Sequence, residues 1–304
     1  MKKIVIRVVE ILILVIVFYG YNHYEKMKNP KVEKEKEFRE EIKVEEKKEN
    51  FQIRYIDVGE ADSILIQNNG KYALIDAGNN EDGEKLVKYF QSLGIQKLEY
   101  VIGTHAHEDH IGGMDDIIKN FQINHFYMPD VVTTTRTFEE ILENLEKKSI
   151  RFETPKIGET FTLDETNFKI IWVGDNEEDL NSTSIILRAK YKNTTYLFTG
   201  DATIEVEKQI LDEEIESDVL KVSHHGSKQS NSDAFLRKVN PKYAIISVGK
   251  ENDYGFPKKV ILNKLKSIGS KIYRTDELGT IIVSSDGNEI YVTSEYTDTN
   301  GEEK

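Results

Sequence analysis

The sequence predicts a mixed α/β (α+β) domain preceded by one N-terminal hydrophobic helix. Three short runs rich in β-branched and aromatic residues, Phe51 to Val58, Ser63 to Ile66 and Lys71 to Ile75, are separated by Gly, Asn and Asp, which is typical of strands joined by tight turns. Glu84 to Leu93 has apolar residues at a period of 3.6 and is followed by Gly94. This pattern predicts a helix that covers the sheet from outside.

The N-terminal helix is expected from the apolar run Ile4 to Tyr21, which only Arg7 and Glu10 interrupt. A run of this length is just sufficient to cross a bilayer. Because no small-x-small cleavage motif follows, residues 1–24 are interpreted as an uncleaved signal anchor, with a cleaved signal peptide as the alternative. The following domain is then expected outside the cell, either anchored in the cell membrane or secreted. Residues 25–50 are mostly Lys and Glu and are interpreted as a charged linker.

The composition restricts the partners of the chain. The 304 residues include 41 basic and 54 acidic side chains, a net charge of −13. Such a surface repels polyanions at long range, so nucleic acid would have to bind through a local basic patch, through metal ions or at high divalent-ion concentration. The chain contains no cysteine, which excludes disulfides and thiolate metal ligands.

Titratable side chains are concentrated in the stretch Thr104 to Gly113, directly after the apolar run Tyr100 to Ile102. Four of them alternate within six residues, namely His105, His107, Asp109 and His110. Imidazole and carboxylate groups suit a borderline divalent ion such as zinc, and crowding them together is costly without a cation. The stretch therefore predicts a cradle for two metals rather than a solvated polar loop. Asp76, at the end of the third strand, is either a group that orients a ligand histidine or a plain turn residue.

Four motifs resemble those of the metallo-β-lactamase superfamily, and in particular the hydrolase domain of the ComEC-type competence proteins. They are His-x-His-x-Asp-His-x-Gly-Gly at 105–113, Phe-Thr-Gly-Asp at 198–201, Leu-Lys-Val-Ser-His-His-Gly-Ser at 220–227, and Asp-Val-Gly-Glu-Ala-Asp-Ser at 57–63. The resemblance implies a four-layer αββα sandwich over residues 51–296, with residues 297–304 as a polar tail. It also implies two divalent metal ions, with Zn²⁺ favoured and Mn²⁺ as the alternative.

The resemblance assigns roles to particular residues. The implied metal ligands are His105, His107, Asp109, His110, Asp201 and His225. Asp109 and Asp201 are also the implied catalytic residues, with Asp201 bridging the two metals. Asn181 stands where many members of the superfamily have a third histidine for the first metal, so Asn181 or a water molecule is the expected ligand there. The candidates for substrate binding are His224, Ser227, Lys228 and Tyr254, each weighed against a structural role. Phe256 stands where the related motif has histidine.

By resemblance the reaction is hydrolysis by a hydroxide that bridges two metals, and the expected substrate is nucleic acid or another phosphodiester. Two alternatives remain open. A hydrolase of phosphorylcholine-type or other envelope esters would better tolerate the negative surface. A metal-stabilised binding module without catalysis would account for the missing third histidine and for Phe256.

Overall fold

The computed structural model describes residues 50–176 and 178–295, and within them two β-sheets. The strands are β1 Phe51–Tyr55, β2 Ser63–Asn68, β3 Lys71–Ala77, β4 Lys97–Ile102, β5 Gln122–Tyr127, β6 Phe152–Glu153, β7 Thr160–Leu163, β8 Thr166–Trp172, β9 Ile186–Tyr191, β10 Thr194–Phe198, β11 Val219–Lys221, β12 Tyr243–Ile246, β13 Lys271–Arg274, β14 Thr280–Ser285 and β15 Ile290–Glu295. The first sheet has the order β15-β14-β1-β2-β3-β4-β5-β6, and the second has the order β13-β12-β11-β10-β9-β8-β7.

Helices occupy the connections between the strands. The α-helices are α1 Gly83–Ser92, α2 Glu108–Ile111, α3 Met114–Asn120, α4 Arg136–Lys148, α5 Ile204–Gln209, α6 Asp233–Val239, α7 Lys259–Ser267 and α8 Thr275–Leu278. Short 3-10 helices lie at Asn80–Asp82, Leu180–Thr183 and Ser223–Gly226. The helix predicted from the period of Glu84 to Leu93 is thus present, displaced by one residue at each end.

Each sheet buries one face against helices and the other against the second sheet. Apolar residues of α1, α3 and α4 join one core with the first sheet, whereas α5, α6 and α7 join another with the second sheet. Between the sheets, the ring of Phe51 stacks on that of Tyr191 with centroids 4.5 Å apart, and Tyr55 lies beside Phe198. The mixed α/β, two-sheet prediction is therefore confirmed.

Other sequence expectations fall outside these elements or differ from them. The hydrophobic helix expected before residue 25, the linker up to residue 49 and the polar tail lie outside the described residues. Among the residues that are described, no helix has the length and apolar character needed to cross a membrane. Within the motif 220–227, β11 ends at Lys221, because the chain turns at Ser223 into a short 3-10 helix.

Strand direction determines where the polar loops meet. β3, β4 and β5 are parallel neighbours in the first sheet, and β10, β11, β12 and β13 are parallel neighbours in the second. Because parallel strands end at a common edge, the loops after β4, β10 and β11 converge, and these loops carry the histidine cluster, Asp201 and the His224-His225 pair. Crevices outside the carboxyl ends of strands are the usual location of binding sites in such sheets.

Candidate metal centre

Asp76 holds one imidazole of the histidine cluster in place. Its carboxylate accepts hydrogen bonds from the backbone N–H and the hydroxyl of Thr104, both at 2.8 Å, and its Oδ2 lies 2.8 Å from Nδ1 of His110. All three groups are fully buried. Since Nδ1 of His110 is engaged by Asp76, Nε2 is the ring nitrogen left to bind a metal. Asp76 is therefore a buried partner of a cluster histidine and not a plain turn residue.

Two glycines allow the histidine loop to pack tightly against its neighbours. A Cβ atom at Gly112 would lie 2.3 Å from the backbone of Asn79, and one at Gly113 would lie 2.5 Å from the carbonyl oxygen of Ala77. Real Cβ atoms do not approach backbone atoms so closely, so a larger side chain would push the loop away. The Gly-Gly pair thus keeps the loop against the end of β3.

Four side chains bring their polar atoms to one point. The group comprises Asp109, His110, Asp201 and His225, with ligand atoms within 4.8 Å of one another. Nε2 of His110 lies 3.3 Å from Oδ1 of Asp201, and Nε2 of His225 lies 3.5 Å from Oδ2 of Asp109. Three of these atoms, His110 Nε2, His225 Nε2 and Asp201 Oδ1, are buried with no hydrogen-bond partner among the described residues. Buried polar atoms without partners are costly, and a divalent cation would satisfy them together. The residues therefore fit a metal ion.

The charges at this point also favour a cation. Burial by itself would raise the pKa of Asp201, but His110, His225 and His224 hold it well below its ordinary value. Burial disfavours protonation of His225, yet Asp109, Asp201 and Asp62 raise its pKa to about 9. Without metal the carboxylates thus keep a proton on His225 at neutral pH, and a bound metal would replace that positive charge.

His105 and His107 lie beside the four-residue group. Nε2 of His105 is 2.9 Å from Nδ1 of His107, and the rings of His105 and His110 have centroids 4.1 Å apart. Asn181 lies in the 3-10 helix Leu180–Thr183, and its Oδ1 is buried without a partner among the residues that the structure describes. Sequence reasoning missed Ser184. Its hydroxyl accepts from the backbone N–H of Asp201 at 3.1 Å and lies 3.4 Å from Nδ1 of His105, so it joins the two halves of the centre.

Strand alternation does not describe the His224-His225 turn. Both residues have left-handed backbone angles, with φ of 50° and 49°, so the rule that neighbouring side chains point to opposite faces does not apply. His225 donates from Nδ1 to the carbonyl oxygen of Ser247 at 2.8 Å, which leaves Nε2 facing Asp109. Nε2 of His224 lies 3.7 Å from Oδ2 of Asp201. Both histidines therefore face the centre.

A buried ion pair that sequence reasoning did not single out lies behind the centre. Nζ of Lys221 is 2.6 Å from Oδ2 of Asp62, and each side chain is only 1% exposed. The carboxylate of Asp62 also lies 3.9 Å from Nδ1 of both His110 and His225. Asp62, Asp76 and His110 form a second candidate group of metal-binding side chains. Lys221 already supplies positive charge to Asp62, and Asp76 already engages His110. We therefore interpret this second group as one that holds the side chains of the first group in place and does not itself bind a metal.

The candidates for substrate binding have different surroundings. Lys228 and Tyr254 are exposed, with Tyr254 at 66%. Ser227 is buried, and its hydroxyl accepts from the backbone N–H of Gln229. The neighbouring Ser230 is also buried, and it donates to the carbonyl oxygen of Ala202.

Glu207 fixes the loop that follows the His224-His225 turn. This buried carboxylate accepts from the backbone N–H groups of Asn231 and Ser232. The side chain of Asn231 in turn accepts from the N–H of Ser223 and donates to its carbonyl oxygen. The start and the end of the loop are thus tied to α5. No local pattern around Glu207 indicated this role, because its partners lie more than twenty residues away.

The fold and the centre define a class of protein. Residues 56–250 match the metallo-beta-lactamase superfamily, and the chain belongs to that superfamily of metal-dependent hydrolases. Its relatives include two ComEC-type competence proteins. ComE operon protein 3 of Bacillus subtilis is 29% identical over 252 residues, which cover 76% of this chain and 32% of that protein. Recombination protein 2 of Haemophilus influenzae is 31% identical over 244 residues, which cover 78% of this chain and 29% of that protein.

The predicted resemblance to this family is therefore confirmed, and the chain spans about a third of the length of these relatives. Among solved structures, the chain is similar to the metallo-beta-lactamase fold protein YhfI from Bacillus subtilis. The TM-score is 0.52 at 12% identity, and the match covers 80% of this chain and 99% of that one. At this identity the likeness shows a common fold.

We predict that Lys221→Ala destabilises the protein by about 3–5 kcal/mol, because it leaves the carboxylate of Asp62 buried without a cation. The double variant Asp62→Leu with Lys221→Met, which removes both charges, is expected to recover much of that loss. Urea unfolding in the presence of EDTA measures both. The control is Lys88→Ala, which breaks an exposed pair with Glu84 on α1 and should cost less than about 1 kcal/mol. Equal losses for Lys221→Ala and Lys88→Ala would contradict the role of the buried pair.

Proposed function

We propose that this protein is a metal-dependent phosphodiesterase that acts on nucleic acid. The observation that carries the proposal is the buried group Asp109, His110, Asp201 and His225, whose unpartnered atoms converge as a metal would require. The similarity to ComEC-type competence proteins favours a phosphodiester over the other esters that this superfamily hydrolyses. The metal centre suggests the reaction type, and the similarity is what suggests the substrate.

The proposed roles follow from the positions of the side chains. Asp109, His110, Asp201 and His225 hold one metal, and His105, His107 and Asn181 hold the other. By resemblance, Asp201 would serve both positions; its Oδ1 faces His110 and its Oδ2 faces His224. When bound, two divalent ions lower the pKa of a water molecule and stabilise negative charge on a phosphoryl oxygen.

Asp109 is the proposed route for protons. Its side chain is 33% exposed, whereas those of His110, Asp201 and His225 are at most 3% exposed. Among these four residues it is therefore the one with ready access to solvent. We assign to its carboxylate the exchange of a proton between the centre and bulk water. The carboxylate of Asp76 and the carbonyl oxygen of Ser247 keep the rings of His110 and His225 in their orientation.

The decisive experiment is an assay of the full-length chain, loaded with Zn²⁺ or Mn²⁺, on single-stranded DNA, double-stranded DNA, bis(p-nitrophenyl) phosphate and a phosphorylcholine ester. We expect hydrolysis of the phosphodiesters, and a loss of roughly 100-fold or more in Asp201→Asn, because the neutral amide cannot compensate the metals. Asp212→Asn, which changes an exposed carboxylate in the turn after α5, serves as the control. Hydrolysis of the phosphorylcholine ester alone would favour the envelope-ester alternative. Metal binding without hydrolysis of any substrate would favour the non-catalytic binding module.

We further propose that the two metal positions differ in affinity, with the position held by His105, His107 and Asn181 the weaker. An amide oxygen is a poorer ligand for zinc than an imidazole, and it is better suited to Mn²⁺. Calorimetric titration of the metal-free chain with Zn²⁺ should therefore give two steps. Asn181→His should raise the affinity of the weaker step at least roughly tenfold. Substitutions of residues that only contact a metal ligand already change metal affinity on this scale, so a new ligand should do no less. Asn120→His, which adds an imidazole on the surface of α3, should change neither step. An unchanged titration in Asn181→His would refute the ligand role of Asn181.

We also propose that residues 1–24 attach the protein to the cell membrane, with the hydrolase domain outside. The apolar run Ile4 to Tyr21 motivates this proposal. In cells that express the full-length chain, the protein should sediment with membranes, require detergent for extraction and be digested by protease added to intact cells. A chain that lacks residues 1–24 should lose the membrane association. Recovery of the unprocessed chain in the soluble fraction would contradict the proposal, and its processed form in the medium would indicate secretion.

A further inference from the structure

An aromatic surface extends from the metal centre to the solvent, and nothing in the metal chemistry requires it. The ring of Phe256 lies over that of His225 with centroids 6.4 Å apart and an interplanar angle of 24°. The ring of Tyr254 is stacked on that of Phe256 at 5.5 Å and 14°. Because Tyr254 is 66% exposed, its outer face is open. We call Tyr254 and Phe256 the aromatic platform.

Backbone contacts hold Phe256 against the His224-His225 turn. The side chain of Asn252 accepts from the N–H of Phe256 at 2.7 Å and donates to its carbonyl oxygen and to that of Gly249. Pro257 packs on Gly226 so closely that a Cβ atom there would lie 2.6 Å from the proline side chain. The backbone of Phe256 is therefore fixed next to His225, and the ring of Phe256 supports that of Tyr254 beside the reactive centre.

The segment that carries the platform has a small positive net charge, unlike the chain as a whole. Nζ of Lys258 lies 5.2 Å from the ring centroid of Phe256. The segment 250–259 contains three lysines and two carboxylates, whereas the chain has a net charge of −13. Lys228, on the loop after the His224-His225 turn, is also exposed. An anionic ligand is thus better tolerated here than on the average surface of the protein.

We infer that the aromatic platform binds an unpaired nucleobase of a single-stranded nucleic acid, by stacking on the outer face of Tyr254. A base has a flat π-face of the right kind, the phosphates attached to it match the nearby lysines, and the platform leads to the metal centre. A base in a duplex is already stacked on both sides, so the platform selects single strands. This inference rests on the proposed function, because it names the substrate class of the same centre.

The test compares two ligands that differ only in their bases. The full-length, metal-loaded chain is mixed with a fluorescent phosphorothioate oligomer of thymidine, which resists cleavage, or with an abasic oligomer of the same length and backbone. We expect the thymidine oligomer to bind more tightly. Tyr254→Ala should weaken its binding roughly 5- to 150-fold, the range for loss of one base–aromatic stack, and leave the abasic oligomer unaffected.

Two variants control for other effects of the substitution. Tyr254→Phe keeps the ring and should bind like the original chain. Ile157→Ala removes an apolar side chain that is 53% exposed between β6 and β7, and it should change neither affinity. The inference is overturned if Tyr254→Ala binds thymidine oligomers as before, if it weakens both oligomers equally, or if the original chain does not distinguish them.

Failure of the inference and failure of the proposed function give different results. If the chain prefers the thymidine oligomer through Tyr254 but cleaves no phosphodiester, the inference about the platform stands and the proposed activity is refuted. If the Tyr254→Ala variant cleaves and binds DNA as well as the original chain does, the proposed activity stands and the inference about the platform is refuted.

Discussion

Asp109 and Asp201 place two carboxylates within a few ångströms of each other in a largely buried site, and most of the surrounding structure compensates that charge. Carboxylates at this distance repel each other strongly unless positive charge is supplied. His110 and His225 provide it when protonated, and a divalent metal provides it when bound. This requirement explains why the ring nitrogens of both histidines face inwards and lack other partners. It also explains why the loops of two separate sheets must meet at the edge where the strands end.

The groups around the centre form a second layer with its own charge balance. Asp76 and the carbonyl oxygen of Ser247 each engage Nδ1 of one histidine, which leaves Nε2 for the metal. Behind them, the ammonium of Lys221 compensates Asp62 in a place without solvent. A lysine on the buried strand β11 is costly by itself, and the pair is stable only because both charges are buried together with good geometry. Each imidazole is thus oriented by a group from its own sheet, and the Asp62–Lys221 pair joins the two sheets behind them.

The acidic surface does not exclude a nucleic acid substrate, because the segment beside the metal centre differs from the rest of the surface. A net charge of −13 opposes the approach of a polyanion at long range, but the segment around Tyr254 and Phe256 is locally basic and aromatic. Stacking acts at short range and is independent of the charge of the whole protein. Where the related motif has histidine, this chain has Phe256, which bridges the rings of Tyr254 and His225 into one continuous surface.

The histidine cluster could be predicted from the sequence because its members lie within six residues, and a loop that short brings them together in almost any conformation. The strands and α1 could be predicted for the same local reason, since periodicity is a property of neighbours. The pair Asp62–Lys221, the link made by Ser184 and the anchor Glu207 could not, because their partners are 17 to 159 residues away in the chain. The facing of both His224 and His225 towards the centre could not be predicted either, because both residues have left-handed backbone angles, which strand alternation does not describe. The local sequence alone determined which residues can bind a metal. The tertiary structure decided which charged groups compensate those residues and that the ring of Tyr254 faces the solvent, because these depend on contacts between distant parts of the chain.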